Sequence, residues 1–342
     1  MNQSNRIIWV DIAKGIGILL VLIGHISQNQ YISSFIYCFH MPLFFIISGY
    51  LYSDKQHYVK KKIKSILIPY LFFAIISFLY WYLIERNLRG QEINPLNAFS
   101  NIWLARGGDA NYIFNVALWF LPCLLTVELI FHFFIKKIKN IKILSIIMFL
   151  FSIIGYLYAQ FDFIRLPFGI DIAFIAIGFY FLGYLWRQKG EDYFKKMKWN
   201  TIKCVITACI CFLIVTILSQ LTTSLNMNNL QYPFYPLMYI SATIGTFMVY
   251  LIAILLKENR ILQYLGTNTL IIMGIHEPLK RIVIELMDRI THISAEILRT
   301  NFISIIMLTI ILTIICIPFI FIIKRYLPFL IGRKKEKRYV NH

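Results

Sequence analysis

Asp11, Lys14 and His25 lie three and eleven residues apart within one apolar stretch. At 100° per residue an eleven-residue step closes to within about 20° of the same helix face, and Lys14 and His25 are then ~16 Å apart along the axis. A charged group at membrane depth costs ~2.5 to 3.5 kcal/mol on insertion scales, so each calls for a compensating role. Asp11 and Lys14 can neutralise each other as an i,i+3 pair. His25 has either a structural hydrogen bond or a chemical task. Two more histidines, His40 and His276, fall at a similar depth on other apolar stretches, and each of the three stands beside a helix breaker: Gly24, Pro42, Gly274 or Pro278. Such residues free backbone groups, which at membrane depth are tolerated only inside protein or beside a wet cavity. The pattern predicts a polar pocket in the outer half, where an imidazole can act as a general base. The three imidazoles with Glu277 could instead hold a metal, but no HExxH-type spacing supports it and none is expected.

The elements that position these residues are spanning helices. The 342 residues are 59% hydrophobic and 15% charged, and the mean hydropathy is +0.68, which excludes a cytosolic enzyme. Ten stretches approach the ~20 apolar residues a span needs. They run near Ile7 to Ser27, Phe35 to Tyr52, Ile66 to Ile84, Ile113 to Ile135, Ile143 to Tyr158, Pro167 to Trp186, Ile202 to Leu221, Phe234 to Leu256, Leu262 to Glu285 and Phe302 to Ile323. The runs are continuous rather than alternating, so an all-α integral membrane bundle of about ten helices is expected and a barrel is not. The six cysteines form no CxxC pair and read as small hydrophobes.

A net charge of +18 would suit nucleic acid, yet the basic residues sit between apolar runs, where they report orientation and contact with anionic lipid. With the N-terminus inside, 25 basic residues fall on the inner side and eight on the outer, so both termini are expected in the cytoplasm of a bacterial cell whose plasma membrane the chain crosses. Residues 1–330 read as one membrane domain and 331–342 as a basic tail on anionic lipid. Asp11 and Lys14 argue against a cleavable signal peptide, no internal repeat is visible and no soluble domain is expected. Glu128 and His132, four residues apart, read as an interfacial pair. The long outer connection Glu85 to Tyr112 holds Trp103, Arg106 and Asn111, which suit a sugar or, for the aromatics, interfacial anchoring.

The first-span string DIAKGIGILLVLIGH resembles the signature of acyltransferase family 3, in which a basic residue is followed by a histidine; here these are Lys14 and His25. The likeness continues through FHMPLFFIISGYLY from Phe39, KKIKSILIPYLFF from Lys61, LWFLPCLL from Leu118 and GTNTLIIMGIHEP from Gly266, and so covers almost the whole chain. The wording is most similar to the fucose 4-O-acetylase-like branch. Two departures stand out: Lys14 replaces the commoner arginine, and the SGNH hydrolase-like domain of some relatives is not seen.

The resemblance implies acetyl-coenzyme A as a co-substrate supplied from the cytoplasm, no permanently bound cofactor, and a surface carbohydrate as acceptor. Lys61, Lys62 and Lys64 then either hold the phosphates of coenzyme A or serve only as a topology signal. Lys14 would guide the donor, with Asp11 on the same face toward the substrate. His25 would be the base, with His40, Trp119 or a helix-break amide near the oxyanion. Glu277 would orient His276 or His25, or stand as a solvated charge. A glycan flippase that transfers no acyl group is the competing expectation, since intramembrane charges also mark translocation paths.

Overall fold

The computed structural model describes residues 7–88, 93–161, 163–197, 199–221, 225–232 and 234–331. Of the expected basic tail, all but Ile331 lies outside them. The described residues are helical, with one isolated bridge between Asn226 and Gln231 in place of any sheet.

In chain order the helices are α1 (Ile8–Ile26), α2 (Gln30–Tyr37), α3 (His40–Tyr50), α4 (Tyr58–Tyr80), α5 (Pro95–Leu104), α6 (Phe120–Lys137) and α7 (Ile141–Tyr158). They continue as α8 (Ile170–Leu185), α9 (Thr201–Leu221), α10 (Tyr235–Leu255), α11 (Arg260–Thr267), α12 (Thr269–Thr291), α13 (Ala295–Thr300) and α14 (Phe302–Tyr326). Among the described residues nine helices are long and apolar enough to cross a membrane, α2 and α3 together forming one of them. The ninth expected stretch, Leu262 to Glu285, differs. It breaks at Asn268 into α11 and α12, and α12 carries His276, Glu277, Lys280, Arg281, Glu285, Asp288 and Arg289. Its charges remove it from any hydropathy count, yet Ile271, Ile272, His276, Glu277 and Val283 are buried in the bundle.

The breaks have local causes. Pro278 lacks an N–H, so the Gly274 carbonyl four residues earlier loses its helical donor. Asn115, fully buried, supplies the replacement, its Nδ2 donating to Gly274 O at 2.8 Å and to Ser77 Oγ at 3.0 Å. The second expected span divides at Cys38–Phe39, and Pro42 sits in the first turn of α3, where a missing N–H is tolerated. Glycines let helices touch backbone to backbone: a Cβ on Gly49 would strike the Tyr180 carbonyl, and one on Gly266 the Asp11 carbonyl. These contacts lock α3 to α8 and α1 to α11.

The described part of the connection Glu85 to Tyr112 contains a helix. Its α5 exposes Leu96, Phe99 and Trp103 on one side, the pattern of a helix lying along a membrane interface. Beyond it, Asn101 ties the chain into a knot, accepting from Arg106 N at 3.0 Å and donating to Asn111 O at 2.9 Å. We call the side holding the α1 start and the α4 lysines the basic face, and the side holding His25 and this knot the far face.

Candidate functional site

Two cavities meet inside the bundle. The far-face cavity, about 380 Å³, is walled by polar groups that include His25, His40, Asp109, Asn228, Glu277, Lys280, Arg281 and Arg299. The inner cavity, about 230 Å³, runs from Lys14, Lys62 and Glu128 to His25. His25, Met41 and Trp119 line both, so they form the partition between a route from the basic face and a route from the far face.

The proton positions at this partition follow from its partners. His25 Nδ1 lies 2.6 Å from Glu277 Oε1. An ionised carboxylate only accepts, so Nδ1 carries the hydrogen and Nε2 is the basic atom of the ring. His276 Nδ1 faces the carbonyls of Ile272 and Met273, both at 3.0 Å, and therefore donates to them. Its Nε2 is then an acceptor, 3.3 Å from His25 Nδ1. The His25 N–H thus points at two acceptors, which fixes the tilt of the ring.

Glu277 is only 1% exposed and is surrounded by cations. Lys280 Nζ donates to the same Oε1 at 2.7 Å, and Arg281 Nη2 lies 3.6 Å from Oε2. Arg281 is itself anchored, by Glu85 at 2.7 Å and by the Ile113 carbonyl at 2.9 Å. This is a buried carboxylate compensated on both oxygens, the condition under which such a charge persists. The expectation of a solvated Glu277 is overturned by its burial.

His40 shares the far-face cavity but has another duty. Its Nδ1 donates to Ile36 O at 2.9 Å, bridging the break between α2 and α3, and its ring stacks on Tyr37. Trp119, on a single 3-10 turn before α6, is 6% exposed and stands at the partition. Tyr112 closes the far-face cavity, and burial raises its phenol well above the ordinary value, so it remains a hydroxyl donor.

Other expected residues lie elsewhere. Asp11 lines neither cavity; it sits where α1 crosses α11. Trp103 is 55% exposed on α5. Arg106 is exposed and Asn111 donates to Gly107 O at 2.7 Å, so the latter shapes the knot. The lysine trio divides: positions 62 and 64 are about 200° apart around α4. Lys62 reaches the inner cavity, Lys64 lines a separate groove on the basic face with Lys55, Lys60 and Lys136, and Lys61 is exposed outside both. Glu128 and His132 do not pair. Glu128 accepts from Lys62 Nζ at 2.7 Å, while His132 Nδ1 meets Tyr52 Oη at 2.9 Å and its ring stacks on Tyr58.

Asp109, one of the polar residues of the connection Glu85 to Tyr112, does reach the cavity, whereas sequence reading missed Asn228, Lys280, Arg281 and Arg299. The basic three look like loop charges, and what could have signalled them is helical spacing: Lys280 and Arg281 follow Glu277 at i+3 and i+4.

Ligand atoms of His25, His276 and Glu277 lie within 4.8 Å of one another, close enough for three ligands to meet one ion. The donor set fits a metal poorly: His276 Nδ1 is held by backbone, and the Lys280 ammonium already occupies the Glu277 oxygen an ion would need.

Comparison with known proteins adds an independent line. Residues 7–324 match the family described as an acyltransferase domain. The nodulation protein NolL of Mesorhizobium japonicum is 28% identical over 232 residues, 62% of this chain and 57% of that protein. NolL of Sinorhizobium fredii is 38% identical over 92 residues, 22% of this chain and 25% of that protein. The chain therefore spans little more than half the length of one relative and a quarter of the other. No solved structure matches.

Proposed function

The chain belongs to this acyltransferase family, and from that premise we propose that it is a membrane O-acetyltransferase moving an acetyl group from acetyl-coenzyme A to a hydroxyl of a surface carbohydrate. The observation that carries the reading is the place of His25: an imidazole with a carboxylate on Nδ1, standing where a cavity from the basic face meets one from the far face. In this reading both termini and the basic face are cytoplasmic, supported by the 25-to-eight bias in basic residues, and the membrane is a bacterial plasma membrane, a reading that the bacterial source of the two relatives favours. The fucose 4-O-acetylase-like branch is favoured by the motif wording alone, from DIAKGIGILLVLIGH to GTNTLIIMGIHEP.

The thioester enters the inner cavity past Lys14 and Lys62, whose ammonium groups suit phosphate. The sugar enters the far-face cavity, where Asp109, Asn228 and Arg299 offer polar edges and Trp119 a flat ring. His25 Nε2 takes the hydroxyl proton as the sugar oxygen attacks the thioester carbonyl. The C–S bond then breaks, the sulfur leaves, and the imidazolium returns the proton to it as a free thiol. Glu277 holds the tautomer and stabilises the transient imidazolium, help of a kind that typically supplies 10²- to 10⁴-fold.

Purified protein given acetyl-coenzyme A and bacterial surface polysaccharide is expected to release thiol and to add acetyl mass to the glycan. Movement of unmodified glycan without thiol release would refute the reading and favour a flippase.

A further inference from the structure

A third cavity lies away from His25, at the basic-face ends of α3, α8 and α10 and the start of α1. Its volume is about 330 Å³, within the range of pockets that take small ligands. Leu43, Leu182 and Phe247 form its inner wall, and the rim is aromatic: Trp9 packs on Tyr50 and Tyr250 at centroid distances of 4.8 Å each, and Trp186 on Tyr250 at 5.2 Å. From Leu43 to Tyr50 the wall is ~10 Å deep along α3. Water has little to bind there, and an apolar cavity of this kind stays dry unless an apolar guest fills it.

The rim differs from the wall in charge. Lys189 is the only charged residue among the described residues that line the cavity, and it makes no ion pair among them. It is exposed at the level of the aromatic rim, where lipid head groups lie. Neighbouring Arg187 is already engaged, donating to Tyr50 Oη at 2.8 Å and to Glu191 at 3.2 Å. A π-helical turn, Trp186–Gly190, produces this arrangement, and π turns recur at functional sites. Gly190 lets the turn close over the Trp186 ring, since a Cβ there would meet it at 3.0 Å.

An occupant must therefore combine a hydrocarbon tail, ~10 Å of which is enclosed, with an anion at the membrane surface. We propose that the cavity binds one acyl chain of an anionic glycerophospholipid, its phosphate paired with Lys189. The lipid braces α3 against α8 and α10, and α3 carries His40 and Met41 at its other end, so occupancy steadies the partition from the opposite side of the bundle.

Native mass spectrometry of the full chain in mild detergent, doped with phosphatidylglycerol or phosphatidylcholine, tests this. One phosphatidylglycerol per chain should be retained, about fivefold over phosphatidylcholine, the preference one lysine gives at an anionic surface. Lys189→Gln should abolish the preference. Ala13→Leu should displace the lipid by filling the cavity, and Thr243→Leu, at an exposed lining position, serves the same purpose should the buried change prevent folding. A phosphatidylglycerol preference undiminished in the Lys189→Gln protein, no preference in the unaltered protein, or undiminished binding by the cavity-filled variant would overturn the proposal.

Discussion

Two buried glutamates, Glu277 and Glu128, are each 1% exposed and each bonded to a lysine at 2.7 Å, yet they stand at opposite ends of the path through the bundle. Glu277 shares one oxygen between Lys280 and the His25 ring and has Arg281 near the other. Glu128 pairs with Lys62, from another helix. The difference separates two uses of a buried charge. At the far end the carboxylate fixes which nitrogen of an imidazole is basic; at the inner end it holds a cation in the wall of a channel.

If that contrast is right, the two sites should break differently. The largest effect is expected for Glu277→Gln, which keeps the shape but can present an N–H to His25 and so reverse its tautomer. Turnover should fall about 10²- to 10⁴-fold at saturating donor and acceptor, a range set by the worth of general-base help. A loss confined to KM would dissolve the distinction between the two glutamates.

Next comes Lys62→Met, which strands a buried carboxylate and should destabilise the protein by about 3 to 5 kcal/mol. Adding Glu128→Leu should recover most of that stability, since an apolar pair of similar volume is often neutral. Thermal unfolding in detergent reads both values, and a double variant no more stable than the single would show that Glu128 has other essential partners. Asn115→Ala should cost about 1 to 3 kcal/mol by leaving the Gly274 carbonyl unpaired beside Pro278. The smallest effect is expected for Lys61→Ala: donor KM should change less than it does in Lys62→Ala, and equal changes would show that the α4 lysines act as one patch.

The contrast also shows what was legible in the sequence. Apolar runs located the nine spans because hydrocarbon demands unbroken hydrophobicity. Breakers beside His25 and His40 pointed to the far-face cavity that both line, because freed carbonyls must find donors, as Gly274 finds Asn115; His276, expected to share that cavity, is buried behind His25 and lines neither cavity. Partners were harder. Glu128 and His132 sit on one helix face and look like a pair, yet Glu128 turns to Lys62 on α4 and His132 to Tyr52 in the connection before it, partners whose approach no spacing rule encodes. The split between Lys62 and Lys64 was available from helical angle alone. Asp109 and Asn228 come from two connections whose approach depends on the whole bundle; they meet at 2.7 Å over the cavity. Trp103 and Arg106 were drawn to the site by their chemistry, while α5, the helix before the knot, leaves Trp103 facing outward.

The most direct test of His25 as the base is thiol release from acetyl-coenzyme A by purified His25→Ala protein, with and without added imidazole. Without imidazole the rate should fall about 10²- to 10⁴-fold while donor binding is retained, and added imidazole should restore part of it in a saturable way. A rate undiminished by the substitution, or a loss that imidazole leaves untouched, would contradict the account.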